Sequence, residues 1–595
     1  MSRVLQYLET ELDEMRRALS DFEQKHPQKA KSLGISAGRN NDPDIQRLAD
    51  SIALLAARTT MRLDDAVPEF SLDLMRLMAP SFLYGTPSYC PVILSGEEAI
   101  PEPGQIVPAG AVIEFTQPDI GKISYTAARD VTLEPVTISK IGFEHAPFTF
   151  GAPKGIHGAE SCLVLHISAL DPSAIIGELK LKDLSLFLPA DSARRDGLCT
   201  ALAAHVLGVG VAAPGQFGQT ILSDGTLRYD MAHDTSPFLP GSLAQSQGAE
   251  RLRDFLAYPD KAYFFTLTDL GAAFAGQTGR TAELRIFFDA SSSQSLNAPE
   301  FGDLVTNAVP CINVFKDRSL PTRYESSRDS VPVTPFLAQD GPVEILAVTE
   351  IKELTPDGEV TLPELSTPAR RVSQDRVLWQ ERFSIATQDP ARRLVSFSVP
   401  EGAKGALDEV IVDFIAGLLC SNGSAGGAPR LGAKGRFNSG DVASFDFSIL
   451  NEPSASQDPE ISAARRWDLL SLLHGNYASI FSADDPAAAL RELINLCAPG
   501  GLSDSATAIW EVNCSQSIAP VTIAGNVLLS AGTKIEVVLN SDALPTSTIS
   551  LGHALNDLFS SFVSYDRFFQ LSLRERGIIS PFLEFPKRHG AQICP

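Results

Sequence analysis

The 595-residue chain is too long for one hydrophobic core and must divide into several domains. Its 44% hydrophobic content is that of an ordinary globular protein, and no apolar run approaches the ~20 residues that span a bilayer. A net charge of −23, with no Lys/Arg cluster longer than a pair, leaves no basic footprint for nucleic acid. The first predicted element is a helix. Leu5, Leu8, Leu12, Met15, Leu19 and Phe22 recur in three- and four-residue steps, with Glu9, Glu11, Asp13, Glu14, Arg16 and Arg17 filling the other positions. Because this N-terminus is charged and heptad-patterned, it is no signal peptide, and the expected compartment is the cytoplasm.

A second helix follows, with Asp42 suited to the N-cap and Pro43 to the first helical position, where no amide hydrogen is needed. Its apolar face runs Ile45, Leu48, Ile52, Leu55, with Leu63 near its end. The two helices form an antiparallel hairpin carrying more apolar stripe than a short hairpin buries alone. That stripe covers the chain's own later domains or joins a bundle with other chains; periodicity leaves both open.

From Ser88 the texture turns strand-rich, with Pro and Gly punctuating short apolar runs. Period-two alternation at Leu163, Leu165, Ile167 and at Leu184, Leu186, Leu188 predicts strands, as do Lys261–Leu270 and Glu283–Ala290. One helix interrupts them over Ala193–Leu207, with Gly208 as its C-terminal glycine. Thr306-Asn307-Ala308-Val309-Pro310-Cys311-Ile312-Asn313-Val314-Phe315 reads as a strand whose Asn residues bond local backbone at turns. Asn422–Gly427 reads as a flexible connection. Further on, Trp467, Leu470, Leu473 and Tyr477 form a helical face. Asp485-Pro486 starts another helix, with Leu490, Leu493, Ile494 and Cys497 inward and Gly500-Gly501 closing it. A last helix near His553 runs into an alternating strand at Phe569, Leu571 and Leu573. The expectation is an α+β chain: an N-terminal helical segment (1–88), a β-rich α+β domain (89–305), a β-rich middle domain (306–460) and a C-terminal α+β domain (461–595).

Motifs for catalysis are missing. Gly208-Val209-Gly210-Val211-Ala212-Ala213 has a helix before it and Pro214-Gly215 after it, the wrong context for a dinucleotide fingerprint. No G-x-S-x-G or H-E-x-x-H occurs, and the eight cysteines lack any C-x-x-C, so they read as small buried hydrophobes with no metal site. No cofactor and no catalytic residue is assigned. A dispersed hydrolase triad stays as a remote alternative, since triads assemble from distant residues.

Four blocks carry a family resemblance: Phe22 to Ser88, Thr306 to Phe315, Ser448 to Gly500 and His553 to Gln570. They resemble the TssF family (ImpG/VasA) of the bacterial type VI secretion system, whose members share the N-x-x-P-x-x-N-x-F stretch and an Ala-Leu-Arg-Glu-Leu helix. The chain departs from the family pattern at Thr546–Gly552 and at Phe585-Pro586-Lys587-Arg588. The resemblance implies a non-enzymatic baseplate wedge subunit, two copies joining one TssG, with TssK and TssE completing the wedge. Wedges ring the VgrG spike and start assembly of the sheath and tube. The subunit is cytoplasmic and docks at the inner membrane through the secretion membrane complex, without inserting. The close alternative is the wedge protein of a phage tail or an extracellular contractile injection particle. The interface candidates are the ten seam residues Leu5 to Phe22 and Ile45 to Leu55 named above.

Overall fold

The computed structural model describes residues 3–590 apart from 33–34, 37–38, 41–42, 96–99, 152–154, 190–193, 216–219, 224, 234–237, 240–246, 291–297, 366–376, 385–391, 399–409, 439, 460–461, 475–484, 524–525, 545 and 565–566. The chain is α+β, as its sequence predicts, and divides into two compact units, Met1–Arg76 and Leu77–Pro595.

The first unit is mostly helical. Helix α1 spans Arg3–Lys25, a short α2 spans Pro27–Ser32, a two-residue hairpin follows, and α3 spans Pro43–Met78. Pro43 opens α3 as expected; the proposed N-cap Asp42 lies outside the described residues. The predicted end near Leu63 is too early, because α3 continues for 36 residues, through Pro68. An interior proline removes one backbone hydrogen bond. The helix resumes beyond it over Leu72 and Met75, both buried.

In the second unit a closed barrel lies between sequence-distant segments. Its strands, in order around the barrel, are Ala308–Ile312, Tyr89–Ser95, Asp446–Ile449, Lys434–Phe437, Val112–Gln117 and Gly121–Ala127. Alternate residues of each strand fill it: Val92, Ile113, Phe115, Tyr125, Cys311 and Phe447 are all at most 1% exposed. A division between residues 305 and 306 therefore cuts this barrel, which takes strands from both sides of it. Closure removes the exposed edges that short strands would otherwise present.

The unit holds further sheets, among them a four-stranded one in the order Leu227–Tyr229, Phe264–Leu267, Leu184–Phe187, Val305–Thr306. An antiparallel sheet runs in the order Ile221–Leu222, Val206–Ala212, Thr281–Phe288, Ser161–Ala169, Val136–His145. A second sheet centres on the long strands Glu344–Thr355 and Ile411–Ser421 and shares a core with the three-stranded sheet of Val331–Pro332, Arg392–Ser398 and Leu378–Ser384. The last sheet pairs Ile509–Ile523 with Asn526–Leu539, which then runs parallel to Phe568–Glu575. Parallel neighbours need a crossover, and the buried helix Thr548–Phe562 supplies it.

Several local expectations are corrected. The helix near residue 200 spans only Arg195–Ala204, and Gly208 lies inside the strand Val206–Ala212, so it caps nothing. Its role is close approach: a Cβ there would meet Ile156 Cδ1 at 2.7 Å, and one at Gly210 would meet Thr220 Cγ2 at 2.4 Å. Asn422–Gly427 is a packed 3-10 turn with Asn422, Gly423 and Gly426 buried. On the helix Ala463–His474 the buried residues are Arg466, Leu469 and Leu470, while Trp467 is 45% exposed; the Leu473 side chain and Tyr477 lie outside the described residues. The helix Pro486–Cys497 forms as predicted: Asp485 Oδ1 accepts from the Ala488 N–H at 3.0 Å, and Gly500 and Gly501 leave it at φ 74° and 80°. The divergent C-terminal stretch docks on the last helix, with Arg588 2.6 Å from Asp557 and Phe585 edge-on to His553.

Candidate assembly surface

On α1 the heptad positions Leu8, Leu12, Met15, Leu19 and Phe22 share one face, and each is half-buried; the Leu5 side chain lies outside the described residues. Asp13 and Arg16 pair at 3.3 Å on the exposed side. Helices α1 and α3 are tied by Thr60 Oγ1, which donates to Glu11 Oε1 at 2.8 Å. The seam is thus only partly covered within its own unit.

Helix α3 behaves differently from the sequence expectation. Over its first half, up to Thr60, the described positions that are buried are Ala53 and Ala57, both at 0% exposure, with Leu54 half-buried. Alanines four apart make a shallow stripe that lets helices approach closely. Ile52 and Leu55 point the other way and are 50% and 64% exposed. The Ile45, Leu48 and Leu63 side chains lie outside the described residues. The larger residues of the predicted face are thus left outward, which suits contact with something other than α1.

A second apolar surface escaped the sequence reading. Residues 514–533 contain no charged residue. They form the outer part of the Ile509–Ile523/Asn526–Leu539 ribbon, where Ile518 and Leu529 are 75% and 78% exposed. At the other end of that sheet Trp510 sits in a bulge with the Arg576 guanidinium 3.6 Å from its ring centroid, and Ile579 is 96% exposed. The available signal was the uncharged run itself, in a chain that is 20% charged.

Reactive groups are muted. Among the described residues no three His, Cys, Asp or Glu side chains gather as a metal site. Cys90, Cys162, Cys199, Cys311, Cys420 and Cys497 are buried free thiols, and Cys514 is half-buried; Cys594 lies outside the described residues. Burial pushes the Cys199 and Cys497 thiols up to about 12 and Cys514 to about 11, so all three stay protonated at neutral pH. Burial also holds His553 down at about 4, with Tyr229 and Phe585 rings against it.

The family model for the type VI secretion system protein TssF matches residues 1–592. The chain belongs to the TssF family. It is 24% identical over 628 residues to type VI secretion system component TssF1 of Pseudomonas aeruginosa, an alignment covering 97% of each protein. Its fold resembles a chain in the solved TssK–TssF–TssG baseplate subcomplex, with a TM-score of 0.71 at 18% identity, covering 92% of this chain and 99% of that one. A chain of a solved type VI secretion baseplate complex matches at a TM-score of 0.52 and 18% identity, covering 96% of both.

Proposed function

We propose that the chain is a structural wedge subunit of a type VI secretion baseplate, working through interfaces and carrying out no reaction. The observation that carries this reading is the TssF family match over residues 1–592, supported by the fold likeness to a chain of the TssK–TssF–TssG subcomplex. Two copies join one TssG-like subunit, with TssK and TssE completing a wedge against the VgrG spike, from which sheath and tube grow. The assembly works on the cytoplasmic side, docked at the inner membrane through the secretion membrane complex.

The interface assigned to the α1 and α3 apolar faces is a helical bundle with the second copy and TssG. Half-covered Leu8, Leu12, Met15, Leu19 and Phe22, together with exposed Ile52 and Leu55, supply its apolar anchors, and Leu5, Ile45 and Leu48 continue the same periodicity. Co-expression with a TssG-like subunit, followed by native mass spectrometry of the purified complex, tests the reading. A mass of two chains to one TssG supports it; a stable one-to-one complex, or no complex, counts against it.

A further inference from the structure

A cavity of about 260 Å³ opens on the face of the Val136–His145, Ser161–Ala169 and Thr281–Phe288 strands that is turned away from Leu163, Leu165 and Ile167. Two cross-strand rows make its floor. One is Gly142–Val164–Arg285 and the other is Lys140–His166–Glu283. A bulge between Ile138 and Lys140 sets Lys140 opposite His166, and bulges commonly re-aim side chains beside sites. Thr149 and Phe150 wall it.

Arg285 is 1% exposed and its guanidinium lies 3.9 Å from the Phe150 ring centroid. Its Nε and Nη2 donate to Glu283 Oε2 at 3.2 and 2.5 Å, and Nη1 donates to Thr220 Oγ1 at 2.8 Å. A guanidinium has five N–H donors, so among the described residues two remain unspent on a buried group. The acceptors of the site are engaged. Glu283 Oε1 takes the Gly215 N–H at 3.1 Å, and Glu144 takes the Thr149 N–H at 3.0 Å and hydroxyl at 2.9 Å. Lys140 is exposed and forms no ion pair among the described residues, and burial lowers the His166 pKa from its ordinary value. Among the described residues the spare capacity of the charged side chains is therefore donor, beside the aromatic and aliphatic walls of Phe150 and Val164.

We propose that this cavity is a binding site for a single carboxylate with an apolar tail. The carboxylate takes the unspent Arg285 N–H groups and the Lys140 ammonium, and the tail lies against Phe150 and Val164. The formal charges of Arg285 and Lys140 against Glu283 and Glu144 cancel, so the site holds no surplus of positive charge for a polyanion. The volume suits one small acid or one C-terminal residue of a protein.

The test is calorimetric titration of the full chain with benzoate and with N-acetylphenylalanine, each against its uncharged amide. At least tenfold preference for the acid over the amide is expected, about the value of one charge-assisted hydrogen bond. Benzoate binding alone marks a free small acid as the ligand; N-acetylphenylalanine binding alone marks a protein C-terminus. Lys140→Met should weaken the acid about tenfold. A Cβ at Gly142 meets nothing nearer than Val164 Cβ at 3.8 Å, so Gly142→Leu should fill the cavity and abolish binding with an unchanged unfolding midpoint. Equal binding of acid and amide, no saturable binding of either acid, or binding unaltered by Gly142→Leu would overturn the proposal.

Discussion

Asn313 and Asn422 are bonded twice: Asn313 Nδ2 donates to Asn422 Oδ1, and the Asn422 N–H donates to Asn313 Oδ1, both at 2.8 Å. Asn313 Nδ2 also reaches Ser124 O at 2.7 Å in the barrel, and Asn422 Nδ2 reaches Pro342 O at 2.8 Å before the long strand of the second sheet. The pair clips the barrel to the neighbouring sheet across 109 residues of sequence. Gly426 makes room for it, since a Cβ there would stand 2.7 Å from Asn313 Oδ1.

Asn313→Ala should therefore be costly. It removes two side-chain donations and orphans the buried Asn422 N–H, a loss of about 2–4 kcal/mol. The check is the urea midpoint of the variant against the parent chain; a midpoint shift equivalent to under ~0.5 kcal/mol would show that the clip does not hold the layers together.

His553 gives the stability a pH slope. Its folded value of about 4 lies below the unfolded 6.5, so the unfolded chain takes up a proton that the folded chain refuses. Above pH 6.5 the residue contributes nothing to the slope. Stability falls as pH drops from 6.5 through about 4, by an amount on the order of 3 kcal/mol at the lower limit. His553→Phe should flatten that part of the curve, as measured by urea unfolding from pH 7 to 4. An unchanged slope would contradict the burial of a neutral ring.

The thiols offer a chemical check. In a Cys594→Ser background, the half-buried Cys514 should be the first to react with a disulfide reagent at pH 8. With its thiol pushed up to about 11, it should do so on the order of a hundredfold more slowly than free cysteine. Fast modification of several thiols before unfolding would contradict the packing described.

Ile518 and Leu529 test the exposure of the ribbon. Both are over 70% exposed in the chain, so Ile518→Lys with Leu529→Lys should change stability by under ~0.5 kcal/mol. A larger loss in the isolated chain would mean that the ribbon face is covered.

The sequence was most legible where structure is local. The α1 heptads, Pro43, the Asp485 cap and the Gly500-Gly501 exit all depend on residues within a turn or two of each other. The barrel was not legible, because Val92 pairs with Val309 and Ile449 and nothing in one strand names a partner more than 200 residues away. Asn307 shows the same limit. It does bond backbone, but at Glu134 and Val136, far outside its own turn. At the candidate surface, periodicity alone could not tell which side of α3 faces inward: Ala53 and Ala57 took the inner position, and Ile52 and Leu55 were left out. The cavity had no linear signature, since its residues come from three strands and the loops between them.

The central claim is that the N-terminal apolar faces build a complex with a TssG-like subunit. Ile52 and Leu55 give the cleanest test, since charging these exposed positions should cost the isolated chain under ~0.5 kcal/mol, while Leu12→Asp with Met15→Asp also strikes the half-covered seam. The decisive measurement is native mass spectrometry of each variant co-purified with a TssG-like subunit, with circular dichroism to show the chain folded. Burying one leucine contributes roughly 1.5–3 kcal/mol, so two charged anchors should abolish assembly. The account predicts a two-to-one complex for the parent chain and free, folded chain for Ile52→Asp with Leu55→Asp and for the seam variant. Two-to-one complexes from both variants at unchanged affinity would contradict it.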